Sequence, residues 1–273
     1  MSRVVARFLI LLWLLPLNAL SQPRTFLTFG IAPQQAATEL AKRWTPILQY
    51  LTEQTGITLQ FKTAKDLSTF QQEMKSGGFD IAFIDAYHYF SFNKSTGYQA
   101  FGIEKNAKFL TLVVTRKDSP ITRLEDLARK PVAFASPTAV ASMQAYTQLK
   151  NDNISITPVY VVSMDSVYRS VAKGIFPAGV GESRTLELMG PDIRKQLRMI
   201  WTAEPLPPYT FSAHPRVAKS DVEKIQRALI EMTENARGIA LLRNVNLKGV
   251  VPANDQDFDP VRKLKLISDA PPM

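Results

Sequence analysis

Short β-branched or aromatic runs alternate with stretches of helical periodicity along most of this chain, and that alternation constrains the fold more than any other feature. Thr25 to Ala32 (TFLTFGIA) ends at Pro33 and reads as a strand entering a loop. Leu40, Trp44, Ile47, Leu48 and Leu51 then recur on one helical face, and Gly56 supplies a stop. Pro46 removes one backbone bond from that helix and is expected to bend it. Thr58 to Ala64, Leu67 to Met74 and Asp80 to Ile84 (DIAFI) complete a β-α-β-α-β pattern, the last read as a buried strand of the parallel type.

Tyr98 to Glu104 and Phe109 to Arg116 read as further strands, the second long enough to cross to another lobe, with Lys117 to Pro120 as the hinge exit. The alternation then restarts: strand Val132 to Ala135, helix Thr138 to Leu149, strand Pro158 to Val162, helix Asp165 to Lys173, strand Ala178 to Gly181 and short strand Met199 to Thr202. Glu204 to Pro208 (EPLPP) with Tyr209 to Ala213 reads as the return crossing, and helices over Ser220 to Asn235 and Gly238 to Asn244 pack back on the first lobe. Alternating βα units imply parallel-rich sheets covered by helices, with ligands taken at the carboxyl ends of the strands. The expected class is therefore α/β, two lobes joined by two hinge crossings. The expected division is a leader over 1–21, one lobe over 22–116 and 214–273, and a second over 117–213.

The N-terminus sets the expected compartment. Arg3 and Arg7 precede the apolar run Phe8 to Leu17, and Ala19-Leu20-Ser21 places small residues where a signal peptidase cuts. A cleaved signal peptide and a periplasmic location follow as expectations. The chain has no cysteine, which rules out disulfides, thiolate metal sites, a cysteine nucleophile and a lipidated cysteine. The formal charge of +9, less the two leader arginines, leaves +7. These bases are dispersed rather than striped among stacking aromatics, so nucleic acid is not the expected partner.

Seven blocks in order resemble the phosphate/phosphite/phosphonate family of ABC-transporter substrate-binding proteins: FGIAP (29–33), KRWTPILQYLTEQTG (42–56), GGFDIAFI (77–84), VVTRKDSPI (113–121), LEDL (124–127), VAFASP (132–137) and DSVYRSVAKG (165–174). The resemblance implies a type II periplasmic-binding-protein fold, a small anionic ligand captured between the lobes, and an inner-membrane ABC permease as partner. A membrane histidine kinase, cyclase or chemoreceptor read by the same closure is the alternative. No cofactor is implied, and a monomer is expected. Where phosphonate-binding members carry Ser-Thr-Ser at a helix start, this chain has Ala139, Val140 and Ala141. The family's cleft tyrosines align with Leu67 and Ile84, its histidine with Met164, and two ligand carboxylates near Arg184 and Tyr209. Each donor lost to a charged ligand costs about 1.5 to 3 kcal/mol, so strong aminophosphonate binding is not expected.

Candidate ligand contacts are weighed against plainer roles. Ser136 and Thr138 read as a helix cap whose free amides also favour an anion, beside Ala139 and Val140. Arg184 either clamps a ligand or pairs with an acid such as Glu182. Gln34 and Gln35 lie in the first βα loop, as ligand donors or as solvated amides. Tyr87 and His88 follow DIAFI, lining the cleft or packing, while Met164 and Tyr209 enter by alignment. Asp165 reads as the cap of its helix. GxSxG, P-loop, GxGxxG and HExxH motifs are all absent, so no enzyme is expected.

Overall fold

A computed structural model describes residues 25–267. The leader and its cleavage point lie outside these residues. In chain order the first elements are β1 (Leu27–Ile31), α1 (Ala37–Thr55), β2 (Leu59–Lys62), α2 (Leu67–Lys75), β3 (Ile81–Ile84), α3 (Ala86–Thr96) and β4 (Gln99–Glu104). The middle of the chain forms β5 (Thr111–Arg116), β6 (Pro131–Phe134), α4 (Val140–Asn151), β7 (Thr157–Tyr160), α5 (Met164–Ala172), β8 (Ala178–Glu182), α6 (Ser183–Leu188), α7 (Pro191–Arg194) and β9 (Leu197–Thr202). The chain then returns through β10 (Thr210–Ala213), α8 (Lys219–Glu231), α9 (Ala236–Asn244), β11 (Val250–Pro252) and α10 (Asp259–Arg262).

Two sheets result. One runs β11-β4-β10-β3-β1-β2 and the other β7-β6-β8-β5-β9. In each, three strands are parallel, β2-β1-β3 and β7-β6-β8, as expected of βα alternation. In each, a fourth strand is antiparallel and is the strand adjoining a crossing: β10 beside β3, and β5 beside β8. The strands therefore change sheets between β4 and β5 and between β9 and β10. This corrects the strand assignments at both expected boundaries. Residues 111–116 pair with β8 and β9 rather than ending the first lobe, and residues 210–213 pair with β3 and β4 rather than ending the second. A fully buried strand carries no sequence mark of which sheet covers it, which is why the long run Phe109 to Arg116 misleads.

The helices follow from spacing and caps. α1 buries Leu40, Trp44, Ile47, Leu48 and Leu51 and runs unbroken through Pro46 to Gly56, whose φ of 71° closes it in the left-handed region. α8 and α9 pack on α1, so the C-terminal helices do return to the first sheet. α3 is an addition to the expected elements. Its N-cap Asp85 accepts a bond from the His88 amide at 3.0 Å. The expected cap of α4 at Ser136 is replaced by a turn over residues 136–139, in which the Ala139 amide donates to the Ser136 carbonyl at 3.2 Å, and the helix starts three residues later behind Ala139. Asp165 sits inside α5, whose cap position is Ser163.

Candidate functional site

The two sheets meet at a cleft of about 820 Å³ walled from both sides. The first sheet's side supplies Ala32, Pro33 and Gln34 after β1, the start of α2 (Lys65 to Thr69), and Asp85 with His88 after β3. The second supplies Ala135 to Ala141 after β6, Tyr160 to Met164 after β7, and Glu182 at the end of β8. Every wall segment leaves the carboxyl end of a strand, where the geometry of βα units leaves helix amides and loop side chains facing outward. Phe109 and Tyr209, from the two crossings, close the floor. The lobes already touch: the Gln34 carbonyl accepts from the Met164 amide at 3.1 Å and the Asp165 amide at 3.4 Å, at the first turn of α5.

Two carboxylates lie at the base, one from each side. Asp85 accepts from the His88 amide and, at 2.7 Å, faces His88 Nδ1. The Gln71 amide nitrogen lies 2.6 Å from His88 Nε2, which fits an imidazole with its proton on Nδ1. Glu182 is 2 % exposed. Thr185 Oγ1 donates to its Oε1 and the Tyr209 hydroxyl to its Oε2, each at 2.8 Å. Burial pushes the Glu182 carboxyl up to about 7, and the charge of Asp85 adds to that rise while the two hydroxyls oppose it. Burial and the same two carboxylates raise the Tyr209 phenol well above its ordinary value.

The opposite wall is different in character. Ala139 cannot cap α4 with a side chain, so its first amides are not taken by a cap. Ser136 Oγ and Thr138 Oγ1 stand 3.2 Å apart beside them, and the Gln34 side-chain nitrogen is buried without a partner. Around these polar groups the lining is apolar: Pro33, Leu67, Pro137, Val140, Val161, Val162 and Met164. Lys65 is the one Lys or Arg among the lining residues, and it is exposed.

A family model described as ABC transporter, phosphonate, periplasmic substrate-binding protein matches residues 29–258. The chain belongs to that family. Relatives of this phosphonate-binding family span nearly the whole chain at low identity. The phosphonates-binding periplasmic protein of Escherichia coli is 22% identical over 272 residues, covering 93% of this chain and 80% of that protein. The phosphate-import protein PhnD of Mycolicibacterium smegmatis is 22% identical over 278 residues, covering 86% and 84%. PhnD1 of Prochlorococcus marinus, solved with methylphosphonate, has a TM-score of 0.78 at 14% identity, covering 88% of this chain and 96% of that one. The shared type II fold explains the two sheets and the cleft between them.

Of the residues singled out by sequence, Gln34, His88, Ser136, Thr138, Ala139, Val140, Met164, Glu182 and Tyr209 line the cleft. Leu67 lines it too, whereas Ile84 is buried behind it. Gln35 is buried in the first loop and Tyr87 packs edge-on against the His88 ring, and neither reaches the cleft wall. Arg184 lines no part of the cleft. It pairs with Glu104 and donates to the Val245 and Asn246 carbonyls at 3.3 and 2.9 Å, so of the two readings it is the ion pair that forms, with Glu104 rather than Glu182 and in the interior rather than as a ligand clamp. What the sequence did not show is that His88 pairs with Asp85. An Asp three residues before a His, directly after a buried strand, is a helix-cap signal visible in the sequence.

Proposed function

We propose that this chain captures a small solute between its lobes in the periplasm and presents it to an inner-membrane ABC permease, without chemical turnover. The cleft carries the reading: polar groups from both lobes converge in one cavity of about 820 Å³, of the size that takes a small molecule. Family membership supports the transport role, and the crossing segments supply the hinge by which such lobes close.

The solute we infer has an anionic head and a hydrogen-bond-donating opposite end. The head fits against Ser136, Thr138 and the free amides of α4, where the helix dipole favours negative charge. The donating end fits Glu182 and Asp85, whose carboxylates would repel a second anionic group. A thermal-shift panel tests this: phosphate, methylphosphonate, 2-aminoethylphosphonate, small carboxylates, sulfonates and amines. A solute bound only by the native fold raises the melting temperature, by RT ln(1 + [L]/Kd) in free energy. We expect the largest shift from a solute bearing one acidic group other than 2-aminoethylphosphonate, whose head meets Ala139, Val140 and Ala141 in place of hydroxyls, and Thr138→Ala to weaken it about tenfold, the worth of one hydrogen bond to a charge. A panel in which only amines without an acidic group bind would contradict the anionic head.

A further inference from the structure

Arg184 is a buried charge that the cleft does not use. It is nearly enclosed, with its side chain 12% exposed, yet it does not reach the cleft. It is the second residue of α6 on the second lobe, and its polar partners lie on the first. Glu104, the last residue of β4, is buried directly before the chain crosses. Val245 and Asn246 follow the C-terminus of α9, and the Asn246 side-chain amide in turn donates to Glu187 of α6. The guanidinium carbon also lies 5.1 Å from the ring centre of Tyr209, at the end of the return crossing, and 5.8 Å from that of Phe83.

The two crossings are tied to each other at the same place. Phe109 and Leu206 exchange both backbone bonds at 2.9 Å, the Ser183 amide donates to the Leu110 carbonyl at 3.0 Å, and the Glu104 amide to the Tyr209 carbonyl at 3.3 Å. Arg184 thus sits where both connecting strands pass, which is where rotation of one lobe against the other displaces atoms least. Separating an ion pair that stays buried leaves two uncompensated charges, which is strongly destabilising. The pair must therefore hold through opening rather than break with it.

We propose that the Arg184–Glu104 pair is the pivot pin of lobe closure, fixing the balance of open and closed forms without touching solute. Its connection to the cleft is Tyr209, whose ring packs against the guanidinium and whose hydroxyl holds Glu182. The proposal rests on closure of the lobes, as inferred above, but not on the identity of the solute. Arg184 is in these terms a positioning residue.

The test reads lobe separation in the solute-free protein. The chain has no cysteine, so Lys75→Cys and Lys173→Cys, on exposed helix ends of opposite lobes, give one spin-label pair. Distances are measured by pulsed electron resonance in otherwise native protein, in Arg184→Met, in Glu104→Gln, and in Arg237→Met, which breaks the exposed Arg237–Glu53 pair within the first lobe. We expect the first two variants to broaden the distribution towards longer separations and Arg237→Met to leave it unchanged. Should Arg184→Met fail to fold, Glu104→Gln, which keeps size and an acceptor oxygen, carries the reading. A folded Glu104→Gln or Arg184→Met with the native distribution overturns the pivot. Absence of solute binding with a broadened distribution would instead overturn the transport reading and leave the pivot standing.

Discussion

Asp85 and Glu182 occupy the same place in two copies of one topology. Asp85 directly follows and Glu182 ends the third parallel strand of its sheet, each stands at the N-cap position of the next helix, and each bonds the side chain three residues on, His88 or Thr185. Their surroundings differ. Asp85 accepts from a helix amide and a ring N–H, both local and both fixed by α3. Glu182 accepts only from two hydroxyls, one of them 27 residues away on the return crossing, and its burial raises it to about 7. Hydroxyls can turn to serve either protonation state, whereas an N–H aimed at a carboxylate serves only the ionised one. The first lobe's carboxylate is consequently held in place by the donors of α3, and the second lobe's by hydroxyls that can turn.

The largest expected effect separates these roles by pH. The unfolded chain ionises Glu182 near the ordinary 4.5, but the folded chain keeps its proton until about 7. The raised value favours the folded state below 4.5, and this contribution is lost as pH rises towards 7, by roughly 3 kcal/mol. Denaturant melts of Glu182→Gln should lack that decline relative to the native chain. Parallel curves would show that the fold does not hold the proton on Glu182.

Asp85→Ala should come next, at about 2 kcal/mol of stability in the same melts, because α3 loses its cap and the buried His88 ring its acceptor. A loss below about 0.5 kcal/mol would show that Asp85 is not structural. The smallest effect is Thr185→Val, which removes one hydroxyl from Glu182 while keeping shape. The Glu182 titration, followed by carboxyl NMR, should move upward, since a donor that favours the ionised form is gone, and stability at neutral pH should fall by about 1 kcal/mol. A downward shift would mean that the hydroxyl serves the protonated form.

The fold was largely legible from pattern, and the reasons for the gaps are physical. α1, α2, α4, α5 and the six parallel strands follow from periodicity, glycine stops and apolar runs. α3 was missed because its run AYHYFSFNKST buries Ala86, His88, Tyr89 and Phe92 among aromatics of weak helical patterning. The sheet membership of β5 and β10 depends on long-range pairing that no local pattern encodes. At the site, nine of the candidates line the cleft because strand ends could be located. Arg184 was misplaced because Glu104, 80 residues away, and the carbonyls after α9 are invisible to spacing.

The central claim is that one small solute is enclosed between the two lobes. Native mass spectrometry tests it directly, using the panel solute with the largest thermal shift on the native chain and on Thr138→Trp, which fills the cleft from a half-buried wall position. The account predicts one bound solute per native chain and none on the filled variant. Equal occupancy of both chains would put the binding site elsewhere and contradict it.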